Sequence, residues 1–123
     1  MCTYHQLPLS CCRDQRYGFQ LYQSDPSGNF GGWKATAVGA NHQAATNLLK
    51  SDYKEGCSLD DAITLVLHVM AKTMDSALST DKVELATLTR DEETGKMKYR
   101  IYEADQMKSL LDTANEQKDA SAT

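Results

Sequence analysis

Four side chains near the start of the chain could bind a metal ion: Cys2, His5, Cys11 and Cys12. A structural zinc site takes four such ligands at the corners of a tetrahedron, in recognisable spacings. The spacing here matches no zinc pattern, and adjacent cysteines rarely converge on one tetrahedral ion. We therefore predict no metal site and no cofactor, and we interpret these residues as unpatterned sequence.

Cys2 is also a candidate nucleophile. Removal of Met1 would leave an N-terminal cysteine, and its own amine could then act as the base. Such a nucleophile must lie at the end of a strand, beside an oxyanion hole and a charged partner. Residues 3–8 do not predict that strand. We predict no catalysis through Cys2.

The glycine-rich segment Gly28–Gly32, with Lys34 after it, superficially resembles a phosphate-binding loop. A phosphate loop must open a helix, so that backbone N–H groups and the helix dipole meet the phosphate. Here the alternation of apolar and polar residues continues, which predicts a strand instead. We interpret the glycines as turn and bulge residues.

The remaining candidates are histidines and a carboxylate cluster. His5, His42 and His68 have no nucleophile and carboxylate beside them in a recognisable local motif. Catalytic triads can assemble from distant positions, so this observation disfavours an enzyme without excluding one. His68 falls on the polar stripe of a predicted helix and is expected to be solvated. Residues 91–93, Asp-Glu-Glu, are expected to form a solvated turn.

The composition is that of one ordinary globular domain. The 123 residues are 41% hydrophobic and 24% charged, with a net charge of −4. A mildly acidic chain gains nothing from neutralising phosphates, so we expect no nucleic-acid partner. No basic cluster or long apolar run predicts a membrane. Because no secretory signal is recognisable, we expect a cytoplasmic and nuclear location and free cysteine thiols.

A hairpin must position the glycine-rich segment. Residues 17–23 alternate as a strand does, and residues 25–28, Asp-Pro-Ser-Gly, fit a type I turn. Residues 29–39 predict the return strand. The paired glycines Gly31 and Gly32 indicate a bulge or a close backbone approach within it.

Two helices are predicted next. Asn41 is the expected N-cap of the first, through its side chain, and Gly56 is the expected stop. Ser58 caps the second, with Asp61 as an imperfect capping-box partner. The second helix has a main apolar face predicted to comprise Leu59, Ala62, Ile63, Val66, Val69, Met70 and Met74.

A second hairpin and a last helix complete the pattern. Residues 82–90 read as a strand apolar on both faces and therefore well buried, and its partner strand follows from Met97. An amphipathic helix follows around residues 107–114. The predicted order is strand, strand, helix, helix, strand, strand, helix. Residues 117–123 predict a disordered tail.

Several segments, in this order, resemble the proteasome alpha-type subunit family, closest to its alpha-4 type. Residues 17–39 carry the most specific motif. Residues 51–56 (Ser-Asp-Tyr-Lys-Glu-Gly), 72–75 (Lys-Thr-Met-Asp) and 82–90 resemble the same family. We take as the candidate structural site the six motif residues Asp25, Pro26, Gly28, Gly31, Gly32 and Trp33, and we assign no catalytic, cofactor-binding or metal-binding residue.

The resemblance implies a mixed α/β (α+β) fold, part of the four-layer α-β-β-α sandwich that proteasome subunits share with the N-terminal-nucleophile hydrolases. It also implies a function, since alpha-type subunits form the seven-membered outer rings of the 20S core particle and gate substrate entry. The peptide-cutting threonines belong to certain beta subunits. The expected function is therefore a non-catalytic structural subunit in ubiquitin-dependent protein degradation, with neighbouring alpha subunits and underlying beta subunits as partners.

The resemblance covers the C-terminal half of the family domain, over residues 17–116, after an unmatched segment at residues 1–16. We therefore expect a truncated alpha-type chain. Two alternatives stay open: an N-terminal-nucleophile hydrolase, which would need a processed Thr, Ser or Cys opening a strand, and a non-functional fragment from a truncated gene model.

Overall fold

The computed structural model describes residues 9–121, with side chains from residue 15 to residue 116. The chain divides into two compact units at the bond between Tyr53 and Lys54. The described elements follow the order β-β-β-α-α-β-β-α. This is the predicted mixed α+β order with one additional strand at its start.

The first unit contains a three-stranded antiparallel sheet. Its strands are β1 (Leu9–Asp14), β2 (Gly18–Ser24) and β3 (Phe30–Trp33), hydrogen bonded in the order β1-β2-β3. The alternation of residues 17–23 therefore forms the central strand. The sequence did not predict β1, because Ser-Cys-Cys-Arg has no clear alternation and its pairing depends on backbone bonds to β2.

Strand β3 is shorter than predicted. It pairs with β2 from Phe30 to Trp33 and then ends, whereas the sequence predicted a strand through residue 39. Beyond Trp33, the hydroxyl of Thr36 donates a hydrogen bond to Oε1 of Gln23 at 3.0 Å. A side-chain hydrogen bond therefore takes the place of the backbone hydrogen bonds between β2 and β3. The β2–β3 register runs without an extra residue, so the predicted bulge is wrong.

Helix α1 spans His42–Asp52. Asn41 is its N-cap as predicted, but the mechanism differs. The residue adopts a left-handed conformation with φ of 59°, and its side chain makes no capping hydrogen bond. Asn tolerates this region better than most residues, which explains the choice at this position. Ala45 and Leu49, four residues apart on one side of the helix, are buried.

The second unit begins with helix α2, Leu59–Thr73. Its capping box closes fully: the N–H of Asp61 donates to Oγ of Ser58 at 3.2 Å, and the N–H of Ser58 donates to Oδ2 of Asp61 at 3.4 Å. A short aspartate can therefore replace the usual Glu or Gln. The carboxylates at the start of the helix also complement its dipole.

Strands β4 (Ala86–Arg90) and β5 (Met97–Ile101) form an antiparallel hairpin, and helix α3 spans Ala104–Ser121. Two predictions fail here. Strand β4 is shorter than residues 82–90 and none of its residues is fully buried. Residues 117–121, predicted as a disordered tail, continue α3, because Gln, Lys and Ala are good helix formers.

The core of the second unit lies between α2, α3 and the segment before β4. Its largest fully buried side chain is Met107. Leu59 and Val66, predicted on the main apolar face of α2, are instead 44% and 42% exposed. The buried cluster comprises Ile63, Leu67, Ala71, Leu78, Val83, Met107, Leu111 and Ala114.

The limits predicted for the family domain, residues 17 and 116, stay a prediction.

Candidate functional site

The turn between β2 and β3 is organised by the carboxylate of Asp25. Its Oδ1 accepts hydrogen bonds from the backbone N–H of Ser27 at 2.9 Å and of Asn29 at 3.1 Å, and also one from the Ser27 hydroxyl. The N–H of Gly28 donates to the carbonyl of Asp25 at 3.1 Å. This is the turn geometry that Asp, Pro and Gly predict at residues 25–28.

The hydrogen bonds in this turn have an electrostatic consequence. The pKa of Asp25 is lowered below its ordinary value of 3.8. The main cause is the hydrogen bond from the Ser27 hydroxyl, and the backbone N–H groups of Asn29 and Ser27 add to it. The cause is that donors aimed at the ionised carboxylate favour the charged form. Gly28 has φ of 89°, which a side chain would strain. The Asp25 carboxylate thus holds the turn in its ionised form.

Gly31, Gly32 and Trp33 lie in β3, opposite Gln23, Tyr22 and Leu21 of β2. Neither glycine has a positive φ. A Cβ at Gly31 would lie 3.8 Å from Nε1 of Trp33, and one at Gly32 would lie 3.8 Å from Cε1 of Tyr22. Both distances are ordinary van der Waals contacts. The glycines therefore do not mark a close approach of two backbones.

Trp33 is not buried in the described structure. It is 47% exposed, and its partner Leu21 places it on the same sheet face as Phe19, which is 48% exposed. The other face carries Tyr22 and Phe30 in an edge-to-face arrangement, with ring centroids 6.5 Å apart. Such half-exposed aromatic groups on both faces of a small sheet suit packing against further protein.

Three of the six motif residues, Asp25, Gly31 and Trp33, line one open cavity. It has a volume of about 300 Å³ and is completed by Gln23, Ser24, Asn29 and Phe30. Pro26 and Gly28 lie in the turn beside it. The cavity is lined by the hydrogen-bonded carboxylate of Asp25, by aromatic rings and by side-chain amides. Such a lining is suited to contact with another protein. The assignment of the six residues as a structural site stays a prediction.

The other chemical candidates lie apart from one another in the described structure. His42 is exposed, and its Nδ1 donates to the carbonyl of Gly39 at 2.9 Å. His68 was predicted to be solvated, and this is wrong. It is half-buried, and its buried Nδ1 has no hydrogen-bond partner. The residues on either side of it in α2, Leu67 and Val69, are both buried, so this helix is covered on more than one side.

The carboxylate cluster at residues 91–93 forms the exposed hairpin turn that was predicted. Oδ1 of Asp91 accepts from the N–H groups of Glu93 at 2.9 Å and Thr94 at 3.2 Å. These hydrogen bonds lower the pKa of Asp91, and the bond from Thr94 has the largest effect. The charge of Lys98 lowers this pKa further. Gly95 closes the turn with φ of 67°. The carboxylate of Asp91 is thus occupied in shaping the loop.

Three of the four cysteines, Cys11, Cys12 and Cys57, lie within the described residues. Cys57 is a free, half-buried thiol. Cys2 and His5 lie outside the described residues, while Cys11 and Cys12 occupy register positions opposite Leu21 and Gln20. Within the described residues no group of three or more His, Cys, Asp or Glu side chains could hold a metal ion. No helix in that same part of the chain is both long and apolar enough to cross a membrane.

Comparison with known proteins decides the family. A family model described as "Proteasome subunit" matches residues 7–88, well over half of the chain. The chain belongs to the proteasome subunit family. The match begins within the segment interpreted as unmatched, and it includes β1, which the alternation pattern alone did not reveal.

Individual proteasome relatives agree with this membership. The chain is 52% identical over 99 residues to "Proteasome subunit alpha type-4" of Spinacia oleracea and 50% identical to "Proteasome subunit alpha type-4-1" of Oryza sativa subsp. indica. It is 48% identical to "Proteasome subunit alpha type-4-A" of Arabidopsis thaliana. Each alignment covers 80% of this chain but only 39–40% of the relative. The chain therefore spans about two fifths of the length of these proteasome subunits.

Proposed function

We propose that this chain is an alpha-type proteasome subunit that builds the outer ring of the 20S core particle and does not cut peptides itself. One observation carries the proposal: 52% identity over 99 residues to an alpha type-4 subunit. In the family, the peptide-cutting threonines belong to certain beta-type subunits. The proposed partners are neighbouring alpha subunits and underlying beta subunits, and the proposed setting is ubiquitin-dependent degradation in cytoplasm and nucleus.

The exposed aromatic surface of the first unit supports a role in assembly. A subunit of a ring must offer apolar and aromatic surface to its surroundings, because such surface supplies most of the affinity between subunits. Phe30 and Trp33, on opposite faces of the sheet, are 77% and 47% exposed. The hydrogen-bonded turn at Asp25 fixes the loop that precedes this surface.

The assembly test uses the 123-residue chain with an affinity tag, co-expressed with the other alpha and beta subunits. We expect the tag to recover material of ring or core-particle size that contains other alpha subunits. Recovery of the tagged chain without any proteasome subunit would refute the proposal.

A matched pair of variants makes the assembly test sharper. Trp33→Ala should lower incorporation into the particle, because it removes a large ring from the sheet face. Tyr17→Ala should not, because Tyr17 lies in the turn before β2. Since Trp33 is 47% exposed in the chain alone, its loss should shift incorporation more than the melting temperature. Equal incorporation of both variants would show that Trp33 is peripheral.

The absence of catalysis has its own test. Purified chain is incubated with fluorogenic peptides, with and without a proteasome inhibitor, and we expect no inhibitor-sensitive turnover. Turnover that disappears on Cys2→Ala would identify an N-terminal-nucleophile hydrolase instead.

A further inference from the structure

We draw no further inference here: the strongest candidate, the exposed apolar face of the β4–β5 hairpin that carries Met97, Tyr99 and Ile101, supports no proposal because nothing in the structure shows what covers it.

Discussion

Asn115 connects helix α3 to the segment before β4 by two reciprocal hydrogen bonds. Its Oδ1 accepts from the backbone N–H of Leu78 at 3.1 Å, and its Nδ2 donates to the carbonyl of Leu78 at 3.0 Å. The side-chain amide thus pairs with one residue as a neighbouring strand would. Leu78 itself is 4% exposed and belongs to the core cluster. We predict that Asn115→Ala destabilises the second unit.

The magnitude follows from the two lost bonds. Each hydrogen bond contributes about 0.5–1.5 kcal/mol net, so their removal should cost about 1–3 kcal/mol. The cost lies toward the upper end if the freed N–H and carbonyl of Leu78 cannot reach water. For a domain of this size, 1 kcal/mol lowers the melting temperature by roughly 4–8 °C. A loss of about 10 °C is therefore expected for Asn115→Ala.

The assay is thermal unfolding of the 123-residue chain followed by circular dichroism, with amide exchange at Leu78 as a local readout. Glu116→Ala is the matched control, since Glu116 is the next residue of α3 and is exposed. Equal melting temperatures and equal exchange rates for the two variants would refute the reasoning.

A second substitution separates the two hydrogen bonds. Asn115→Asp keeps an acceptor for the N–H of Leu78 but places a carboxylate oxygen against its carbonyl. Protonation restores a donor at that position. The deficit of this variant relative to wild type should therefore shrink as pH falls through the pKa of the new carboxyl. A deficit that does not depend on pH would mean that the amide acts by packing and not by hydrogen bonding.

Three further predictions concern the turns and caps. Gly28→Ala should destabilise by about 1–2 kcal/mol because of its left-handed backbone. Gly31 has no positive φ, and its added Cβ would make only an ordinary contact with Trp33, so Gly31→Ala should leave the melting temperature unchanged or raised. Equal losses for the two variants would contradict the turn geometry. Ser58→Ala should cost about 1 kcal/mol, measured by helix content and melting, and Ser58→Gly only a few tenths. The lowered pKa values of Asp25 and Asp91 mean that their stabilising contribution is present above their ordinary pKa of 3.8 and is lost as pH falls through the lower folded values. Replacing both with Asn should flatten the acid limb of a stability-against-pH curve, and an unchanged limb would refute their role.

The local features of this chain were predictable from sequence because they depend on residues close together in the chain. Pro presets φ in the 25–28 turn and Asp25 accepts from N–H groups two and four residues on, so the turn forms as predicted. Ser58 and Asp61 form their capping box for the same reason. The spacing of apolar residues correctly placed two of the buried positions of α2, Ile63 and Val69.

Features that depend on distant partners were decided by the tertiary structure. Strand β1 exists because β2 offers it backbone hydrogen bonds, although its own sequence does not alternate. The side chain of His68 is half-buried because α2 is covered on more than one side, with Leu67 and Val69 both buried, although its position lies on the polar stripe of the sequence pattern. The two hydrogen bonds between Asn115 and Leu78 join residues 37 positions apart, and no local sequence pattern reveals such a pair.

By itself, the sequence determined the turn chemistry, the positions of the two helix N-caps, the mixed α+β order and the proteasome family of this chain. Those properties follow from backbone preferences and from motifs of a few residues. Only the tertiary structure decided where each strand ends and which apolar faces are covered. The six-residue motif illustrates both: its turn is as predicted, whereas the exposure of Trp33 depends on what packs against the sheet. Burial is a property of the whole packed assembly, and a linear pattern can state only the preference for it.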